Sequence, residues 1–140
     1  MEFFDTSVLV AAGQVTHVHH VPSFQRVAAA TKLRSCCAVH TFAEVYASMT
    51  AMPRSPMLPP NDVLRFIQNV EQRLVPIALD AQEYLETIER TAARGLTSGK
   101  IYDALLLACA AKSQAQIIYT WNLKHFRAIA PHLADRIQTP

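Results

Sequence analysis

The sequence predicts an α/β fold: a single three-layer α/β/α domain around a mostly parallel sheet of four to five strands. Three observations lead there. Short β-rich apolar runs recur along the chain, separated by longer stretches with helical spacing of apolar residues. Strands that alternate with helices require crossover connections, and those give parallel strands covered on both faces. The chain has 140 residues, 51% of them hydrophobic, which suits one domain over residues 1–140 that buries roughly two thirds of its unfolded surface.

Each element has a local reason. Glu2 to Asp5 reads as a first strand, with Thr6 or Ser7 as N-cap of a brief helix that Gly13 ends. Gln14 to His20 reads as loop, and Pro22 suits the first turn of a helix running to about Leu33. Ser35 to Val39 is a second strand, buried on both sides. Thr41 caps a helix with Phe42, Val45 and Met49 on one stripe. Pro53, Pro56, Pro59 and Pro60 exclude helix interior and mark a loop. Asn61 or Asp62 then caps a helix to about Arg73, and Leu74 to Leu79 is a third strand. Asp80 caps a helix that reaches Arg94, and Gly95 ends it. Thr97 or Ser98 opens a nearly all-apolar helix to about Ser113. Gln116 to Thr120 is the strongest strand pattern. A short helix follows from Leu123 to Ala130, Pro131 breaks it, and Arg136 to Gln138 is a last edge strand.

Composition narrows the function classes. The formal charge of +2 decides nothing about partners, since bases clustered on one face suffice for nucleic acid. Cys36, Cys37 and Cys109 are odd in number and irregular in spacing, which argues against a disulfide framework and for a reducing compartment. The opening MEFFDTSVLVAAG carries Asp5 inside its apolar run and has no basic lead-in, unlike a signal peptide. The later apolar run from Ala104 to Ala111 is far short of the ~20 residues of a membrane span. A soluble, cytoplasmic protein with no membrane partner is expected.

In an open α/β sheet, ligands sit beyond the carboxyl ends of the strands. Asp5 ends the first strand, and Asn122 lies just past the strand ending at Thr120. Glu44 and Asp103 fall in the first turn or two of their helices, where the helix dipole favours a carboxylate. Asp103 heads the apolar stretch IYDALLLACAA, where an uncompensated charge is costly and a metal ion would relieve the cost. Three carboxylates from distant segments make a hard-oxygen set suited to magnesium or manganese. Read one at a time, each acid is equally a helix cap or a surface charge.

Four segments taken in order say more: FFDTSVLVAA, HTFAEVYASMT, GKIYDALLLACAA and IIYTWNLKHF, spanning residues 3 to 126. Together they resemble the PIN-domain family, and more closely the VapC toxins of toxin–antitoxin pairs. The resemblance implies a PIN-like fold and a magnesium-dependent endoribonuclease that cleaves RNA with a metal-activated water. It implies Asp5, Glu44 and Asp103 as ligands of the ion, with Asn122 completing the catalytic set. It further implies a cognate VapB-like antitoxin and a homodimer. At position 122 the family usually has an acid. Asparagine brings an oxygen without charge, so one ion is expected to bind more readily than two. Thr6 and Thr120 are matched motif residues whose hydroxyls would steady the carboxylates.

Other signals are weaker. Arg54, Arg94, Lys100, Lys124 and His125 are expected to border the site and to bind flanking phosphates. Trp121 fits a base-stacking role less well than partial core. The histidines at 17, 19 and 20, and Cys36, Cys37 and His40, lack zinc-site spacing. Met49, Met52, Met57 and Leu58 form an adaptable apolar stretch where the resemblance implies an antitoxin groove. A haloacid-dehalogenase-type phosphatase needs an acid where Ser7 stands, and a receiver domain needs an acidic pair where Asp5 stands alone. The remaining rival is a PIN-like RNA-binding or interaction module silenced by Asn122.

Overall fold

The computed structural model describes residues 1–51 and 58–140. Pro53, Arg54, Pro56, Met52 and Met57, and with them most of the expected proline loop, lie outside the described residues. Five strands form one sheet: β1 (Glu2–Phe4), β2 (Ser35–Ala38), β3 (Val75–Ile77), β4 (Ile117–Tyr119) and β5 (Ile137–Gln138). Their order is β3-β2-β1-β4-β5 and every neighbouring pair is parallel. The chain builds outward from β1 through β2 to β3, then crosses to the other side of β1 for β4. Strand order therefore reverses between β1 and β4, which is where an α/β sheet opens a crevice at its carboxyl edge.

Successive side chains of a strand face opposite ways, and here each face has its own core. Phe3, Cys36 and Ile118 pack with Leu106, Cys109, Phe126 and Ile137 on one face. Phe4, Cys37 and Tyr119 pack with Val8, Leu9, Val45, Met49 and Leu74 on the other. The adjacent cysteines thus point to opposite sides of the sheet, and all three thiols are buried and free. Burial pushes each of them up, that of Cys109 to about 11, so they remain protonated and act as small apolar residues.

The helices are α1 (Thr6–Ala12), α2 (His20–Ala28), α3 (Val39–Ala51), α4 (Pro60–Glu71), α5 (Ala81–Ala93), α6 (Lys100–Lys112) and α7 (Leu123–Ile129). Several ends differ from expectation. Asp5, and not Thr6 or Ser7, caps α1, accepting from the Ser7 N–H. α3 starts at Val39, so Thr41 is a buried residue of its first turn and not its cap. α4 starts at Pro60, because a proline in the first turn forfeits no helical hydrogen bond. Asn61 and Asp62 therefore fall inside the helix, and Asp62 pairs with Arg65 at 2.6 Å. α6 starts after Gly99, with Ser98 at φ 59 just before it. α2 stops at Ala28, and a 3-10 helix at Pro131–Arg136 fills what the sequence suggested was only a break.

Asp80 caps α5 as expected. Its carboxylate accepts the Glu83 N–H at 2.9 Å, and Glu83 returns a bond to the Asp80 N–H at 2.7 Å. Losing the side-chain acceptor of such a cap costs about 1 kcal/mol. Asp80→Ala should accordingly lower the melting temperature by roughly 3–5 °C in a calorimetric scan. At Gly13 the chain comes close to α3 and α4, since an added Cβ would sit 2.8 Å from Met49 Cε and 3.0 Å from Phe66.

Candidate active site

The end of β1 and the end of β4 meet at the reversal point, held by the Asp5 N–H donating to the Tyr119 carbonyl at 3.0 Å. Asp5 is only 2% exposed, so its carboxylate needs donors. It takes them from both strand ends. Ser7 donates its N–H at 3.3 Å and its hydroxyl at 2.5 Å, and the buried Thr120 donates its hydroxyl at 2.8 Å. All three fall on Oδ2 and none on Oδ1. Burial pushes the Asp5 carboxyl up, the Ser7 and Thr120 bonds pull it back, and the Glu44 charge adds a smaller upward push.

The harness continues into the next turn. The Trp121 N–H donates to Ser7 Oγ at 3.0 Å, and the Asn122 N–H donates to Thr120 Oγ1 at 2.9 Å. Each hydroxyl thus gives its proton to Asp5 and accepts an amide proton from the segment leading into α7. Trp121 is anchored a second and third way, stacking on His19 at 3.7 Å with planes 7° apart and donating from Nε1 to Ser23 at 2.9 Å. Its ring is a clip between the α1–α2 loop and the strand end, which matches the expected partial-core reading.

Glu44 lies on the second turn of α3. The Thr6 hydroxyl donates to its Oε2, and Thr6 Oγ1 also lies 3.4 Å from that of Thr41. Glu44 Oε1 faces His40 Nε2 at 3.8 Å. Asp103, on the first turn of α6, faces His125 Nδ1 at 4.0 Å. Its carboxyl is pushed up to about 6, first by burial, then by the Asp5 charge, with Glu44 adding and His125 opposing. The three acids thus feel one another's charge. Among the described residues, however, no three His, Cys, Asp or Glu side chains lie close enough to cage a metal ion unaided.

Asn122 sits at the start of α7, exposed, with no side-chain hydrogen bond among the described residues. Lys100 opens α6 and Lys124 is the second residue of α7; both are exposed and neither is in an ion pair among the described residues. Arg94 departs from expectation. It donates to the carbonyls of Ala128 and Ile129, at the end of α7 remote from Asn122, and so ties α5 to α7 instead of lining the site. Arg54 lies outside the described residues. Met49 is 2% exposed and belongs to the core, as its place on the apolar stripe of α3 implies, and Leu58 packs against that core. Ser7 and Thr41 were not foreseen as site residues. The D-x-S spacing is the one signal that marks Ser7, since a short hydroxyl two residues on bonds back locally.

Known proteins share the family and the fold. The family model described as "PIN domain" matches residues 3–130. The ribonuclease VapC27 of Mycobacterium tuberculosis is 31% identical over 114 residues, covering 81% of this chain and 79% of that one. The crystal structure of Mycobacterium tuberculosis VapC20, titled a sarcin-ricin loop cleaving toxin, superposes with a TM-score of 0.73. At 16% identity over 91% of this chain and 95% of that one, it speaks for the fold. The match over residues 3–130 and the likeness to VapC27, on a parallel sheet that reverses between β1 and β4, make this chain a member of the PIN-domain family, of its VapC type.

Proposed function

We propose that this protein is a magnesium-dependent endoribonuclease, the toxin of a toxin–antitoxin pair. The observation that carries the reading is the buried Asp5, with three hydrogen bonds on Oδ2, coupled by charge to Asp103 and Glu44. The donor chemistry fits a hard divalent cation. Carboxylate oxygens are its preferred ligands, and acids that raise one another's proton affinity gain when a cation joins them. Asp5, Glu44 and Asp103 would hold the ion, with Asn122 supporting through a water. A bound divalent ion lowers the pKa of a water and neutralises the phosphodiester.

The chain's own groups do the positioning. Ser7 and Thr120 fix the Asp5 carboxylate through Oδ2 and leave Oδ1 for the ligand. Thr6 restrains Glu44. Lys100 and Lys124, each on the first turn of its helix, would take flanking phosphates as point charges. A VapB-like antitoxin and a homodimer complete the proposal, on the strength of the VapC-type relatives.

The test is cleavage of labelled RNA with and without magnesium. Metal-dependent cutting of single-stranded or looped RNA, with duplex DNA left intact, is expected; RNA that stays whole at millimolar magnesium would refute the enzyme reading. The exposed, uncharged Asn122 favours a second reading, an inert RNA-binding module, and that outcome is what it predicts. Asn122→Asp adds a charge on the rim, where solvent screens it. Calorimetric titration should show magnesium binding about two- to fivefold tighter, the size of an exposed charge pair. Unchanged or weaker binding would place this side chain away from the ion.

A further inference from the structure

Beside the acids, the same edge of the sheet holds a cavity of about 200 Å³. Val39 and His40 follow directly on β2, and Ala78 and Leu79 follow on β3, so the cavity opens where parallel strands end. Leu105, from α6, and Tyr84, from α5, close the other sides. Its walls are mostly aliphatic, with the rings of His40 and Tyr84 among them, and its size is below the ~300–1,000 Å³ of sites for drug-sized ligands. It has room for one small planar group.

The cavity is set in advance. Cys109 donates to the Ile77 carbonyl at 3.5 Å, and Lys112 donates to the Ala78 carbonyl at 2.9 Å, which pins the segment after β3. Leu105 is 2% exposed and cannot swing away. Tyr84 is 37% exposed, and its hydroxyl makes no hydrogen bond among the described residues.

One wall belongs to the site as well. His40 faces the Glu44 carboxylate at 3.8 Å and stacks on Tyr102 with planes 8° apart. Tyr102 is 48% exposed, directly precedes Asp103, and follows Lys100 by two residues on the first turn of α6. An apolar recess with His40 and Tyr84 in its walls, one of them 3.8 Å from the Glu44 carboxylate, matches a nucleotide better than a protein side chain: the base would enter the recess while its phosphate stays on the acidic side.

We propose that this cavity seats one unpaired nucleobase of the RNA strand, adjacent to the phosphate that is cut. The proposal rests on the ribonuclease reading above and adds to it a subsite for an unpaired base. An unstacked base against aromatic side chains recovers part of the stacking it loses in the strand, and duplexes, whose bases are paired, are refused.

The probes are short labelled single strands of rA, rC and rU, and a strand of the same length and charge that lacks bases. Binding is read by fluorescence anisotropy with calcium in place of magnesium. Wild type should hold one base-bearing strand at least about tenfold more tightly than the baseless strand, as aromatic stacking of a base provides. Ala78→Phe fills the cavity mouth, and Tyr84→Leu removes a ring while keeping bulk. Both should reduce that preference to about threefold or less and leave binding of the baseless strand unchanged. Far-ultraviolet circular dichroism checks that each variant is folded, and the pair is chosen so that one folded variant suffices. If wild type binds all strands alike, or the folded variants keep its preference, the proposal is overturned and the cavity becomes a candidate protein contact. Magnesium-dependent cleavage of a mixed-sequence RNA separates the two levels. A wild type that cuts but binds base-bearing and baseless strands alike overturns the pocket alone, and one that neither cuts nor binds overturns both.

Discussion

Asp103→Asn is expected to melt higher than wild type without divalent ions, yet to cleave RNA about 10²–10³-fold more slowly, as when a group that stabilises transition-state charge is lost. Both effects have one origin. Burial and the charges of Asp5 and Glu44 push the Asp103 carboxyl up to about 6 from 3.8. A folded-state pKa above the unfolded value means the ionised form opposes folding. The difference amounts to roughly 1–3 kcal/mol when the group is ionised. The penalty is fully present above about 6, shrinks as pH falls from there, and vanishes below 3.8. The gap in melting temperature should follow that course, reaching roughly 3–10 °C on the alkaline side. Melts at both ends of this window check it. A variant that melts lower than wild type throughout would show that the carboxylate stabilises the ion-free fold, and one that cuts at the wild-type rate would remove Asp103 from the site.

Magnesium should raise the wild-type melting temperature by roughly 5–15 °C at a hundredfold excess over its dissociation constant. That corresponds to ~2.7 kcal/mol for an ion that binds only the folded chain. Asp103→Asn should lose most of this shift. Asp5→Asn should lose it too, but from a lower starting point. Its Oδ2 is the acceptor for Ser7 and Thr120, so substitution there weakens the junction of β1 and β4 as well as the ion site. Scans at matched ionic strength exclude general salt effects. A wild-type melt that ignores millimolar magnesium would count directly against the ion site.

Much of the fold could be read from the sequence because its signals are local. Phe3 and Phe4 mark a strand buried on both faces, Asp80 with Glu83 marks a helix start, and Gly95 at φ +65 marks a helix end. Asp5, Glu44 and Asp103, which feel one another's charge in the fold, each read alone as a cap or a surface charge, and only the order of the four segments singles them out. What could not be read depends on contacts between distant segments. Ser7 earns its place only when Trp121 arrives 114 residues later to donate to its hydroxyl. Arg94 reads as a free surface base until α7 presents its terminal carbonyls. The start of α3 at Val39 was hidden for a similar reason: the strand runs straight into the helix, leaving no cap for the sequence to show.

The clip at Trp121 has an optical consequence. The chain has a single tryptophan, so its emission arises from one place. That indole lies flat on His19, and the backbone N–H of the same residue is two hydrogen bonds from the Asp5 carboxylate, by way of Ser7. Any ion or strand that shifts Asp5 should therefore move the intensity or wavelength of the native fluorescence. Occupancy of the crevice can then be followed in the unlabelled, unmodified protein, on the timescale of mixing, before any bond in the RNA is broken.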